Sequence, residues 1–262
     1  MAPRVETADN PGVQIAPRVI LAPNASPMTL DGTSTYVIGW REVAVLDPGS
    51  AARSHLDAIA AAVGAAAVVR ILITHDHPDH STGASALAAR LQAPVLSLGD
   101  GTLADGAEVV TDDGVLVCLA TPGHAPDHAA FHWPAAAAIF CGDLMMGGLD
   151  TAVVAAPEGD VGAYLESLER LRSLRPRIIY PSHGPAFTDP GEAIGRYLAH
   201  RAERERQVLA ALAVGARDAA EITDHVYGAA LDQALRPFAL AAVEAYLDHL
   251  QATGRLPEEA RR

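Results

Sequence analysis

The feature that leaves this chain least freedom is a six-residue run, His75-Asp76-His77-Pro78-Asp79-His80, in which five side chains can bind or orient a metal ion. It follows Val68-Val69-Arg70-Ile71-Leu72-Ile73-Thr74, a short, β-branched, apolar stretch without helical spacing that reads as a buried strand. The run is therefore expected in the loop at that strand's C-terminal end, where open α/β sheets usually receive ligands. Extended backbone turns residues two apart to the same side, so His75 and His77 are set to grip one ion together. Pro78 reinforces this by pushing the residue before it out of the helical region. Asp79 and His80 fall past the bend and point toward a second ion, ahead of a helix predicted from Ala84 to Leu91 and capped by Ser81 or Thr82. Imidazole nitrogen and carboxylate oxygen suit zinc, and also iron or manganese, so the donors narrow the metal without fixing it. An Ala-rich surface loop could collect such residues by accident, but their density directly after a strand favours the ligand reading.

The same placement recurs along the chain. Val115 to Ala120 reads as a strand ending in Thr121-Pro122-Gly123-His124, so His124 is expected to join His75 and His77. Ala137 to Cys141 reads as a strand followed by Gly142-Asp143. A lone carboxylate at such an edge can bridge two cations that would otherwise repel, although Gly-Asp by itself is no more than a turn signal. Arg177 to Tyr180 is a further strand, closed by Pro181-Ser182-His183-Gly184-Pro185, which brings His183 to the same kind of edge. His128 and His132 are read as supporting or structural, and His55 as a polar position on a helix that ends before Gly64. Upstream, Arg18 to Leu21 reads as a strand, while Thr33 to Gly39 and Glu42 to Leu46 form a hairpin about Trp40-Arg41, closed by an Asp47-Pro48-Gly49 turn.

Composition sets outer bounds. A chain of 262 residues can hold one large α/β domain plus an appendage and needs no disulfide support. With 50% hydrophobic but only 5% aromatic residues, the interior must be built mostly from Ala, Val, Leu and Ile. A formal net charge of -13 disfavours a non-specific polyanion binder, because nucleic-acid affinity comes largely from neutralising phosphates. Cys118 and Cys141 lie inside strand-like apolar runs and are expected to be free thiols in the core. Met1 to Arg18 carries no apolar signal segment, and the uncharged stretch from Ala58 to Val69 is too short to span a bilayer. A reducing, cytoplasmic setting and no membrane partner follow as the default.

Taken together, His75, His77, Asp79 and His80, followed in order by His124, Asp143 and His183, resemble the HxHxDH signature and later ligands of the metallo-β-lactamase superfamily. The resemblance runs from about Arg18 to Gly184. It implies a four-layer αβ/βα sandwich with two metals at the edge of two sheets. One ion would take His75, His77 and His124, the other Asp79, His80 and His183, with Asp143 shared. Asn24-Ala25-Ser26-Pro27-Met28-Thr29-Leu30, Gly32-Thr33-Ser34-Thr35-Tyr36 and the Thr121 to His124 turn look like the lactamase-beta-2-like branch, although Ser34 stands where that branch more often has Asn. Beyond Asp189-Pro190-Gly191, three helices are predicted, Ile194 to Leu212, Asp218 to Tyr227 and Pro237 to Thr253, and they resemble that branch's winged-helix tail. The division expected is a hydrolase domain over 1–190 and a small helical, winged-helix-like domain over 191–262. That tail has nine Arg against eleven acids, so a solvated helical face is favoured over a nucleic-acid surface.

The function expected is that of a dinuclear zinc hydrolase, two Zn²⁺ per chain, in which a metal-bound hydroxide attacks the carbonyl of an ester, thioester, lactone or lactam. Asp79 is the expected catalytic residue, orienting the water and taking its proton while ligating. Two alternatives within the superfamily are a single-strand endoribonuclease and a persulfide dioxygenase-like oxidoreductase holding one iron. Small molecules are the favoured partners and nucleic acid the disfavoured one.

Overall fold

The computed structural model describes residues 15–228 and 231–257. The signal-free stretch read from Met1 to Arg18 therefore lies, up to residue 14, outside the described residues. Strands β1 (Arg18–Leu21), β2 (Ser34–Ile38), β3 (Glu42–Leu46), β4 (Ala67–Leu72) and β5 (Val95–Leu96) form one sheet in that order. The first three are antiparallel, and β3, β4 and β5 run parallel. Parallel neighbours need crossovers, supplied by α1 (Arg53–Val63) between β3 and β4, then by α2 (Pro78–Ser81) and α3 (Ala84–Leu91) between β4 and β5.

The second sheet has the order β10-β9-β8-β7-β6. Its members are β6 (Glu108–Thr111), β7 (Gly114–Ala120), β8 (Ala129–Trp133), β9 (Ala138–Gly142) and β10 (Ile178–Pro181). The run from β6 to β9 is antiparallel, and β10 returns parallel to β9 through α4 (Val161–Ser173). Strand β6 adds to the elements predicted from sequence, since four residues are too few to display a period.

Side-chain alternation sorts the strands into three apolar interfaces. On the outer face of the first sheet, Val37, Val43, Val45 and Ile71 pack on Leu56, Ile59, Val63 and Leu87 of α1 and α3. Between the sheets, Tyr36, Ile38, Leu46 and Leu72 meet Leu116, Cys118, Phe131, Trp133 and Phe140. On the outer face of the second sheet, Leu119, Ile139, Cys141 and Ile179 pack on Tyr164, Leu168 and Leu171 of α4. The result is the expected four-layer αβ/βα order. Burial on both faces explains why these strands read as apolar runs rather than strict alternations. Each fully buried side chain of this kind contributes roughly 1.5–3 kcal/mol. Cys118 and Cys141 are buried, unpaired core thiols, as expected.

The tail is helical, with α5 (Pro190–Ala213), α6 (Ala219–Tyr227) and α7 (Arg236–Ala252). Its Ile194, Tyr197, Val208, Val243 and Tyr246 belong to the same apolar cluster as α4 and the second sheet. Arg201 of α5 is buried there, its guanidinium 4.7 Å above the Tyr164 ring, which gives the charge an aromatic face to rest on. Among the described residues no strand follows β10, so no wing accompanies the three helices. No helix is long and apolar enough to cross a membrane among the described residues.

The two sheets are tied together at one edge. Ala129 N–H at the start of β8 donates to Thr74 O at 2.7 Å, and Ser34 N–H on β2 donates to Ser182 O at 2.8 Å. Tyr36 Oη–H reaches Pro181 O at 2.5 Å. Strands β3, β4, β7, β9 and β10 all end at this edge.

Candidate metal centre

All seven residues singled out from the sequence meet at that edge, in two clusters. His75, His77 and His124 form one, and Asp79, His80, Asp143 and His183 the other, with the candidate donor atoms of each cluster within 4.8 Å of one another. Pro78 starts the one-turn helix α2, where a fixed φ and a missing N–H cost nothing, with His77 still extended before it. That turn is what sends Asp79 and His80 away from His75 and His77. The predicted Ser81 or Thr82 cap is not formed: α3 starts after Gly83 without a side-chain cap, and Ser81 Oγ instead donates back to His77 O at 3.1 Å.

In the first cluster the outer nitrogen of every ring is committed to a protein acceptor. Thr74 Oγ1–H donates to Asp47 Oδ2 at 2.8 Å, so the 3.0 Å contact between Thr74 Oγ1 and His75 Nδ1 is a donation from the ring. His77 Nε2–H donates to Glu158 Oε2 at 3.0 Å, and His124 Nδ1–H to Val153 O at 2.7 Å. Those protons leave His75 Nε2, His77 Nδ1 and His124 Nε2 as bare lone pairs. Yet His77 Nδ1 lies 2.8 Å from His75 Nε2 and 3.1 Å from His124 Nε2. Three lone pairs converging at hydrogen-bond distance repel unless a cation lies among them. Burial holds both His75 and His124 below the usual histidine range, so protons are poor substitutes for that cation.

The second cluster is more deeply enclosed and of mixed charge. His80 Nδ1–H donates to Asp47 Oδ2 at 2.9 Å and His183 Nδ1–H to Gly32 O at 3.3 Å, which turns both Nε2 atoms inward. His80 Nε2, His183 Nε2 and Asp143 Oδ1 are buried without a hydrogen-bond partner, an arrangement that costs free energy unless something coordinates them. Asp143 Oδ1 lies 3.4 Å from each of these nitrogens, while its Oδ2 is 3.7 Å from His124 Nε2, so its carboxylate faces both clusters. Asp79 Oδ2 is 3.2 Å from His183 Nε2. Burial opposes charge on His80, but Asp143 and Asp47 outweigh it and raise its pKa well above the ordinary value. His183 is likewise raised against burial, to about 9, by Asp143 and Asp79. Burial would raise Asp79 and Asp143, but His183 and His80 hold both carboxyls low.

Two histidines outside the clusters have defined places. His128 accepts the Asp143 N–H at Nε2, 3.1 Å, and therefore donates from Nδ1 to Thr121 Oγ1 at 2.9 Å. Burial, with His124 nearby, lowers it to about 3, so it stays neutral and supports the chain at Asp143, as expected. Gly142 has φ +54°, and a Cβ there would lie 2.4 Å from His128 Nε2, so the Gly-Asp pair is required by space as well as by conformation. His55 corrects the sequence reading: it is a buried residue whose Nε2 bonds Thr35 Oγ1 at 3.1 Å, which in turn donates to Asp47 O at 2.7 Å. His132 lies on β8, partly exposed, and joins neither cluster.

The residue that sequence reasoning missed is Asp47, read there as a turn. It is fully buried, with φ 49°, and accepts from Thr74 N and Oγ1 at 2.8 Å, His80 Nδ1 at 2.9 Å and Ser182 Oγ at 3.1 Å. A carboxylate at the end of apolar β3 was the available signal, the same placement that drew attention to Asp143. Glu158 offered none, since it reaches His77 across 81 positions from a loop.

Similarity to known proteins agrees with this geometry. The profile of the metallo-beta-lactamase superfamily matches residues 28–100 and 97–183. An atrochrysone carboxyl ACP thioesterase from Aspergillus chevalieri is 36% identical over 215 residues, covering 77% of this chain and 68% of its own. A beta-lactamase-like protein 2 homolog from Caenorhabditis elegans is 30% identical over 210 residues, covering 74% and 70%. Among solved structures, a metallo-beta-lactamase family protein from Thermus thermophilus superposes with a TM-score of 0.74 at 26% identity, covering 91% of this chain and 94% of that one.

Proposed function

The chain belongs to the metallo-beta-lactamase superfamily, and from that premise we propose that it is a two-zinc hydrolase of small acyl compounds, thioesters and esters before lactones and lactams. One observation carries the proposal: seven donors gathered at four strand ends face inward in two clusters, and the outer nitrogens of all five histidines among them are held by the protein. Donors of this kind suit zinc, with iron or manganese as chemically acceptable substitutes. When bound, two such cations would acidify a shared water and polarise the substrate's carbonyl oxygen.

The chain's own contributions follow from the geometry. The Asp143 carboxylate faces both clusters and would offset the repulsion between two cations held there. Asp79, 28% exposed at its side chain, is the most exposed member of the second cluster, and it remains a carboxylate able to accept a proton at Oδ from a water beside it. Asp47 and Glu158 fix the rings of His80 and His77, and Thr74 fixes that of His75. The groove beside His77, about 760 Å³, is bordered by Asp76, Asp100, Asp127 and Glu158, with no Arg among the described lining residues. Such a border repels a phosphate backbone, which supports a small neutral substrate over RNA.

The division into a hydrolase unit, 1–190, and a helical appendage, 191–262, without the wing expected from the sequence among its described residues, belongs to the same proposal, as does a reducing cytoplasmic setting, supported by the two buried free thiols. The test is elemental analysis of protein purified without added metal, then a screen over chromogenic esters, thioesters, lactones, β-lactams and single-stranded RNA. Two zinc ions per chain and chelator-sensitive thioester cleavage are expected. One iron per chain without hydrolysis would replace this reading with the oxygenase one, and RNA cleavage alone with the nuclease one.

A further inference from the structure

The loop from Val153 to Glu158 does more than hold ligands. Val153 O orients His124 and Glu158 orients His77, and between those two points Ala156 N–H donates to Ala241 O of α7 at 3.0 Å. Loop and helix thereby wall an open pocket of about 340 Å³ that is also lined by His77 and His124. Its remaining walls are apolar apart from Glu158: Val153, Ala155 and Pro157 from the loop, Pro237, Phe238 and Ala241 from α7. The size falls near the lower end of small-molecule sites, roughly 300–1,000 Å³. Phe238, one of its walls, keeps 47% of its surface exposed, so an apolar ligand lying against it would cover apolar area now in water.

Two hollows meet at His77 and Glu158 and differ in chemistry. One is this apolar pocket, and the other is the acid-bordered groove along Asp76, Asp100 and Asp127. An acyl compound whose carbonyl lies beside His77 can send its acyl group into one hollow and its leaving group into the other. We propose that the cavity receives an apolar acyl chain, with Phe238 and Ala241 of the C-terminal helix setting the chain length accepted. The leaving group then lies along the acidic groove and is uncharged rather than phosphate-bearing. This inference rests on the hydrolase reading for its catalytic consequence, but the cavity itself can be tested without turnover.

Two measurements decide it. With metal-loaded protein and p-nitrophenyl esters from acetyl to octanoyl, kcat/KM should climb with chain length, by up to about fourfold per methylene buried. Ala241→Phe, which fills the cavity, should cut the octanoyl-to-acetyl ratio at least tenfold. Phe238→Ala, on the exposed rim, should lower it in the same direction and serves where Ala241→Phe does not fold. Independently, calorimetric titration with octanamide should give binding to the wild-type protein that weakens at least tenfold in Ala241→Phe. A flat chain-length profile, or octanamide affinity that is absent or unchanged by both substitutions, overturns the proposal. Octanamide binding that follows the prediction in a protein that cleaves no ester or thioester would retain the cavity and sink the hydrolase reading instead.

Discussion

The two ligand clusters are built on opposite electrostatic plans. His75, His77 and His124 are three rings whose inward nitrogens converge at hydrogen-bond distance, and burial keeps His75 and His124 from taking protons. Asp79, His80, Asp143 and His183 are two anions and two rings that can neutralise one another with protons when no cation is present. In the first cluster the two buried rings, His75 and His124, resist the proton that could stand in for a metal ion, whereas both rings of the second cluster favour it. Their supports differ in the same sense: His80 leans on Asp47, wholly buried, while His77 leans on Glu158, whose side chain is 58% exposed.

The substitution that breaks both plans together should have the largest effect. Asp143→Ala removes the one carboxylate facing both clusters and is expected to lower hydrolysis by roughly 10³-fold or more, with loss of bound metal measured in the same preparation. Wild-type metal content and turnover in that variant would refute a shared centre. Next comes Asp47→Asn, which keeps the volume but weakens the hold on His80. It should cost about 10- to 100-fold in metal affinity or activity, read by chelator competition and steady-state kinetics.

The proton contrast gives a pH prediction. His183 is raised to about 9 in the folded protein from an ordinary value of 6.5, so in metal-free protein its contribution is fully present below 6.5 and is lost as pH rises through about 9. Thermal melts of chelated protein should therefore decline across that window, and melts of metal-loaded protein should decline less. Calorimetric loading at neutral pH, repeated in buffers of different ionisation enthalpy, should also reveal protons released from the second cluster. Equal pH profiles with and without metal would remove the distinction between the clusters. The smallest effect is expected for Glu158→Gln, a change of only a few-fold in kcat/KM, because water and the retained amide oxygen can still accept from an exposed ring. A loss as large as that of Asp47→Asn would show that exposure does not rank the two supports.

Much of the fold was legible because strands buried on both faces write themselves as apolar runs, as Val43 to Leu46 and Ile139 to Cys141 do. Strand β6 escaped because Glu108 to Thr111 is short and leaves Val110 60% exposed. His55 looked like a polar helix position because its acceptor, Thr35, lies on a different element.

The sequence by itself determined the donors and their order, since each stands next to a strand end and strand ends are read from local composition. It also determined that His75 and His77 separate from Asp79 and His80, because Pro78 imposes the bend within the motif. Only the tertiary structure decided the supports and the substrate side. Asp47 meets His80 across 33 positions, Glu158 meets His77 across 81, and α7 supplies a wall of the pocket beside ligands more than a hundred residues earlier in the chain. A hydrogen bond or an apolar wall depends on approach to within a few ångströms, and the packing of layers supplies that approach where no local periodicity can encode it.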